Sequence, residues 1–273
     1  MSQHYIPVLT VAGSDSSGGA GIQADIKTMS ALGCYGMSAI TAITAQNTCG
    51  VIDVQGIDPE IVKAQIEAVY TDIPPLAVKT GMLFSAPIVK VVAEALRRYR
   101  PSALVVDPVM VSTSGSRLID ENAIEAVVSE MFPLAALVTP NKSEAAVLSG
   151  SSDVAVQARR LHELGAAAVL LKGGDDSSDD VKTDWLSVGG RELIRIEAPA
   201  VDTCNTHGTG CTLSSAIACG MAMGFDVVQA VSLAKRYITQ ALEAGAHVSV
   251  GKGHGPVNHF FEHSKLKIYD HKD

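Results

Sequence analysis

The sequence is poor in aromatic residues, at 4% of the chain, and in charge, with Asp, Glu, Lys and Arg together at 18%. Apolar residues still reach 47%, much of it Ala, Val and Ile, a composition that suits helices packed on a buried parallel sheet. Little charge with ample apolar material excludes a disordered chain. No Lys/Arg run and no basic helical stripe occurs, and the net charge is −8, so no nucleic-acid partner is expected. A small anion remains possible, because local donors and one cation can hold it. The five cysteines form no C-x-x-C pair and are odd in number, so neither a disulfide framework nor a zinc site is expected. No basic segment precedes an apolar stretch at the start, and no apolar run reaches 18 residues. The expectation is a cytoplasmic protein with no membrane span.

What is present is a regular alternation over 273 residues. Strands are predicted at Ile6–Val11, Met37–Ile43, Leu76–Lys79, Ala103–Val106, Ala136–Thr139 and Ala167–Leu171. Helices are predicted between them at Ala20–Leu32, Pro59–Tyr70, Ile88–Leu96, Asn122–Met131 and Val154–Leu164, then at Thr209–Met223 and Val227–Ala244. Asp58 reads as an N-cap of the second helix, with Ile61, Ile66 and Val69 on its inner side. Asn141 and Glu144 read as a capping box. Such alternation predicts an α/β fold, a central mostly parallel sheet with helices on both faces. Trp185–Val188 and Leu193–Ile196 read as a small antiparallel edge. One domain over 1–261 is expected, followed by a polar, loosely held tail at 262–273.

Ligands of open α/β sheets bind at the carboxyl ends of the strands, where three glycine-rich turns fall. Gly13–Gly21 lacks the G-x-G-x-x-G spacing and no Gly-Lys-Ser/Thr follows it, so it is neither a dinucleotide fingerprint nor a Walker loop. Lys172-Gly173-Gly174 alone reads as a plain turn. Asn205-Thr206-His207-Gly208-Thr209-Gly210-Cys211 opens a helix of small and apolar residues. A helix start has unpaired N–H groups and about half a positive charge from its dipole. Two glycines let a phosphate approach those groups, and fixed donors of this kind stabilise a transferring phosphoryl group. Cys211 stands at that start, where the dipole lowers a thiol pKa, so it is a candidate base. A buried structural cysteine is the alternative. His207 is a second candidate base, or a hydrogen-bonded loop residue.

The motifs Ala12–Asp25, Thr44–Thr48, Lys79–Leu83, Asp107–Met110, Thr139–Asn141, Lys172–Gly174, Asn205–Thr212, Gly251–Gly253 and Gly255–Val257 carry a resemblance. It spans about Leu9 to Phe260. The chain resembles the ribokinase-like superfamily and, within it, the hydroxymethylpyrimidine and hydroxymethylpyrimidine phosphate kinases of thiamine biosynthesis. The resemblance implies an ATP-dependent kinase acting twice at one site, with Mg²⁺, as a homodimer. It implies Cys211 as base and Gly208, Thr209 and Gly210 as anion hole. Gln46, Gly13, Asp25, Met82 and Val109 match substrate positions, and Lys172, Thr206 and Lys252 match ATP positions. Asn141 and Glu144 match a pattern associated with Mg²⁺ and phosphate, with Asp107 as a further helper through metal-bound water. Ser112–Arg117 is expected to form a flap over the site. A pyridoxal kinase of the same superfamily and a non-catalytic pyrimidine sensor are the competing readings.

Overall fold

The computed structural model describes residues 2–110, 119, 121–173 and 180–271. The expected flap at 112–117, Gly174 and the acidic loop up to Asp179 lie outside the described residues. In chain order the elements begin with β1 (Ser2–Tyr5), β2 (Pro7–Asp15), α1 (Gly21–Ala31), β3 (Tyr35–Asn47), β4 (Gly50–Gly56), α2 (Pro59–Asp72), β5 (Ala77–Thr80), α3 (Ala86–Tyr99) and β6 (Leu104–Val106). They continue with α4 (Glu121–Ala126), β7 (Leu137–Val138), α5 (Lys142–Ser149), α6 (Val154–Glu163), β8 (Ala168–Leu171), β9 (Val181–Val188), β10 (Ile194–Pro199), α7 (Thr209–Ala222), α8 (Val227–Gly245) and β11 (Ile268–His271).

Nine strands form one sheet in the order β10-β9-β8-β7-β6-β5-β2-β3-β4. The pairings from β8 through β3 are parallel. The pairings of β9 with β8 and of β10 with β9 are antiparallel, as expected for that edge. The opposite edge carries an antiparallel strand that the sequence pattern did not announce, β4 on β3. The polar tail is not loose where β11 pairs with β1.

Alternate residues of each central strand serve two cores. Leu9, Val11, Val78, Leu104, Val106, Val138 and Val169 face α2 to α6. Val8, Ala77, Val105, Leu137, Ala168 and Leu170 face α1, α7 and α8. A strand buried on both sides reads as a continuous apolar run, which is why these strands are visible in the sequence. The inner side of α2 differs from expectation. Val62 and Ile66 are buried there, whereas Ile61 is 56% exposed, one residue out of phase with the stripe. The helix predicted to Met131 ends as a π-helical turn over Val127–Met131.

The chain leaves β2 for β3 on one side, then returns to β5 on the other side of β2. That reversal opens a crevice at the carboxyl ends of β2 and β5, and α7 begins beside it. Lys79 lies on the α7 side of β5 by strand parity with Ala77.

Candidate active site

α7 starts at Gly208, in a left-handed conformation with φ 81°, and no side chain caps its first turn. The Thr209 N–H reaches Thr206 O at 3.3 Å, and no side chain competes with a ligand for the other N–H groups of the first turn. A Cβ on Gly208 would collide with the carbonyl oxygen of Gly19, so the turn needs glycine both for its φ and for this close approach. Asn205 braces the approach to the turn, donating to Gly245 O at 2.7 Å and Val248 O at 2.6 Å. Gly208→Ala is expected to lower kcat/KM by at least about 10²-fold, since it displaces the donors themselves. Gly224→Ala, also at positive φ but with open space around it, is the control and should leave turnover near wild type. Steady-state kinetics on both variants checks this.

One flank of the cradle is ionic. Lys172 Nζ lies 2.8 Å from Asp107 Oδ1, and a side chain on Gly210 would approach both groups. Asp107 also accepts from Thr139 at 3.1 Å and from Ser214 at 3.3 Å. Burial pushes its carboxyl up, but Lys172 and Lys79 hold it below the usual range. Burial works against the Lys172 ammonium, and Asp107 and Glu144 keep it above the usual lysine range. Asn141 and Glu144 form the expected capping box on α5, each side chain accepting from the other's N–H at 2.8 Å. Burial pushes Glu144 up to about 7, with Lys172 opposing and Asp107 adding to the rise.

The base of the cradle is a second buried ion pair. Lys79 Nζ lies 2.9 Å from both oxygens of Asp25. Asp25 also accepts from Thr10 at 2.6 Å and Ser215 at 2.7 Å, and has no exposed surface. Asp25 thus lies fully buried against Lys79. Burial opposes the Lys79 ammonium, but Asp25 holds it above the usual range. Cys211 keeps partial exposure, and the Gly21 N–H donates to its thiol. Burial nevertheless pushes that thiol up to about 11, with Lys79 pulling it down and Asp25 and Asp107 pushing it up. The lowered thiol pKa expected from the helix start is therefore overturned: desolvation outweighs the dipole.

Across the crevice, Met82 lies against Gly13, where any Cβ would meet its methyl group. Val109 packs in the same small apolar cluster as Met82, Ala42 and Met110. Gln46 is half-buried, its backbone clamped by Ser16. Thr206 is half-buried before Gly208. Lys252 is exposed, with its backbone N–H on Thr48 Oγ1 at 3.2 Å. The glycines on either side of it, Gly251 and Gly253, press on Thr48, so this loop borders the Gln46 strand end.

Three partnerships carry no local sequence signal. His207 Nε2 lies 2.9 Å from Asp15 Oδ2, joining the first glycine-rich turn to the approach of α7. This makes His207 a tie between loops rather than a free base. Burial pushes Asp15 up, but His207, Ser17 and Ala20 bring it down to about 2. Asp184 accepts from Gly173 N at 2.9 Å and pairs with Lys235 at 2.7 Å, bracing the turn that carries Lys172. The Lys79–Asp25 pair is the third. A lysine inside an apolar strand is the one visible hint of it.

A mostly parallel α/β sheet with an uncapped helix start that carries a thiol, beside a lysine at a strand end, is the arrangement of a small-molecule kinase of the ribokinase-like class. The chain belongs to the phosphomethylpyrimidine kinase family, whose model matches residues 15–258. It is 49% identical over 258 residues to a hydroxymethylpyrimidine/phosphomethylpyrimidine kinase of Rhizobium meliloti, covering 92% of this chain and 96% of that one. It is 51% identical over 257 residues to the thiamine biosynthesis bifunctional protein ThiED of Geobacter sulfurreducens, covering 92% of this chain and 52% of that longer one. A phosphomethylpyrimidine kinase from Clostridium difficile is similar at TM-score 0.75 and 47% identity, over 87% of this chain and 99% of that one. A pyridoxal kinase from Staphylococcus aureus, in complex with AMP-PCP and pyridoxal, is similar at TM-score 0.86 and 33% identity, over 97% and 99%. No helix among the described residues is long and apolar enough to cross a membrane.

Proposed function

We propose that the protein transfers a phosphoryl group from ATP to the hydroxymethyl group of 4-amino-5-hydroxymethyl-2-methylpyrimidine, and then a second to the resulting monophosphate, in thiamine biosynthesis. The observation that carries the pyrimidine is Gln46, half-buried with its backbone held by Ser16. An amide there can pair with an amino group beside a ring nitrogen. Met82 offers a polarisable face to the ring. Cys211 takes the proton of the attacking hydroxyl, and the N–H groups of Gly208, Thr209 and Gly210 stabilise the charge of the transferring group. Lys172, Thr206 and Lys252 hold the ATP phosphates.

Two buried carboxylates, Asp107 and Glu144, stand at this corner beside Lys172, and burial pushes Glu144 up to about 7. That donor chemistry fits Mg²⁺, which takes one or two carboxylates and completes its shell with water and phosphate oxygens. Asp107 and Glu144 with Asn141 would hold it, and it would neutralise phosphate charge there. The protein acts as a cytoplasmic homodimer with one kinase domain at 1–261. The open β4 edge, with Ile52 77% exposed on it and Ile43 exposed on the neighbouring strand, supports the dimer.

The higher TM-score to a pyridoxal kinase favours one second reading, a pyridoxal or dual-substrate kinase. ADP release with ATP and Mg²⁺, measured on the pyrimidine and on pyridoxal, decides between them. Faster turnover of the pyrimidine, with both mono- and diphosphate in the mass spectrum, is expected. Faster pyridoxal turnover defeats the proposal, and no ADP release on either substrate revives the sensor.

A further inference from the structure

The position of Gln46 is fixed by its backbone, with Ser16 Oγ accepting from Gln46 N at 2.9 Å and donating to Gln46 O at 2.8 Å. The orientation of its amide is a separate matter. The two ends of an amide are nearly the same size, so hydrogen-bond partners alone decide which end points where. The structure sets the amide oxygen 3.1 Å from Thr44 Oγ1 and the amide nitrogen 3.5 Å from His207 Nε2, and a half-turn of the amide exchanges them.

Both neighbours have committed their hydrogens elsewhere. The Thr44 hydroxyl has one proton, and Ser14 O at 2.8 Å is its nearer acceptor. Thr44 therefore turns lone pairs toward Gln46. His207 Nε2 faces Asp15 Oδ2 at 2.9 Å. The two oxygens of Asp15 also accept from Ser17 N, Ser17 Oγ, Gly19 N and Ala20 N, the surroundings of an ionised carboxylate. Nε2 must then carry a hydrogen, whatever the charge on the ring. An acceptor faces one end of the amide, and a ring nitrogen with no lone pair to offer an amide N–H faces the other.

We infer that Thr44 and the Asp15–His207 pair orient the Gln46 amide, with its nitrogen toward Thr44 and its oxygen toward His207, and so determine the donor–acceptor edge the site shows to its ligand. The inference rests on the proposed role of Gln46 and deepens it. In this orientation one amide N–H and one oxygen lone pair remain free, the complement of an amino group beside a ring nitrogen. The opposite orientation sets N–H against N–H at His207 and lone pair against lone pair at Thr44. His207 is 4% exposed and Asp15 2%, so solvent does little to relieve that mismatch. Asp15 and His207 are positioning residues.

The first test is NMR of the imidazole nitrogens in the ligand-free protein near neutral pH. A hydrogen on Nε2 of His207 is expected, and a ring protonated only at Nδ1 overturns the inference. The second compares kinetics of Thr44→Val with Thr44→Ser, and of His207→Phe with His207→Gln. Val and Phe are expected to raise KM for the pyrimidine about tenfold, the cost of one misdirected hydrogen bond, and to raise it more than they change kcat. Ser restores the hydroxyl and Gln restores an N–H of similar reach, so each should recover most of the loss. Equal KM values within both pairs sink the idea. A wild-type protein that does not phosphorylate the pyrimidine strikes the proposed function instead, and the NMR readout still decides the amide orientation.

Discussion

Cys211→Ala is expected to lower kcat by about 10²–10³-fold while KM moves only a few-fold, the loss typical of a removed general base. The thiol stands in the first turn of α7, with the Gly21 N–H on it and the Lys79 ammonium below. Its pKa has a direct consequence for the pH profile. A thiol at about 11 is almost wholly protonated at neutral pH, and the thiolate fraction grows about tenfold per pH unit below that value. The sign is therefore fixed: kcat/KM of the wild type should climb as pH rises from 7 to 9, and that slope should vanish in Cys211→Ala. Steady-state rates across this range check both statements. Wild-type kcat in the Ala variant would reject the base role. Phosphoryl transfer has a loose transition state that asks little of a base early on, so disrupting the Gly208 cradle should cost at least as much.

Lys79→Met is expected to destabilise the fold by about 3–5 kcal/mol, because it leaves a buried carboxylate without its counter-charge. Lys79 and Asp25 are both fully buried, and Asp25 is held there by Thr10 and Ser215 as well. In a chain of this size the loss corresponds to a fall in Tm on the order of 10 °C. The double variant Lys79→Met/Asp25→Leu removes both charges and should recover most of the stability, since apolar replacement of a buried pair is often neutral. Activity should not recover with it. Lys79 pulls the Cys211 thiol down more than Asp25 pushes it up, so alkylation of Cys211 should need higher pH in the double variant than in the wild type. Thermal unfolding and the pH dependence of thiol alkylation separate the two roles. A stable single variant would show that the pair contributes little to the fold.

Much of the fold was legible in the sequence because its strands are buried on both faces. Such strands read as short apolar runs between helical stripes, and the capping residues Asp58 and Asn141 mark where helices begin. β4 was not legible, because Gly50–Gly56 is a half-exposed edge strand whose alternation is too weak to see. The inner face of α2 was misplaced by one residue for a similar reason: Ile61 and Val62 are both apolar, and only packing chooses between them. The Asn205–Cys211 segment could be read as an anion site, because glycines before a helix of small residues are a local pattern. The resemblance then supplied Gln46, Met82 and Val109, of which the fold sets Met82 against Gly13 with Val109 in the same apolar cluster.

The sequence by itself determined the strand and helix order, the two-faced burial of the central strands and the helix-start cradle, all set by neighbours within a few residues. The tertiary structure alone decided the pairs Lys79–Asp25 and Asp15–His207, the brace from Asp184 to Lys235, and the protonation of Cys211. Each pair joins side chains that are distant along the chain, so no local pattern announces it. The thiol pKa is a sum over everything packed around the sulfur. The helix start predicts a fall, desolvation by the surrounding fold imposes a rise, and only the assembled fold shows which is larger.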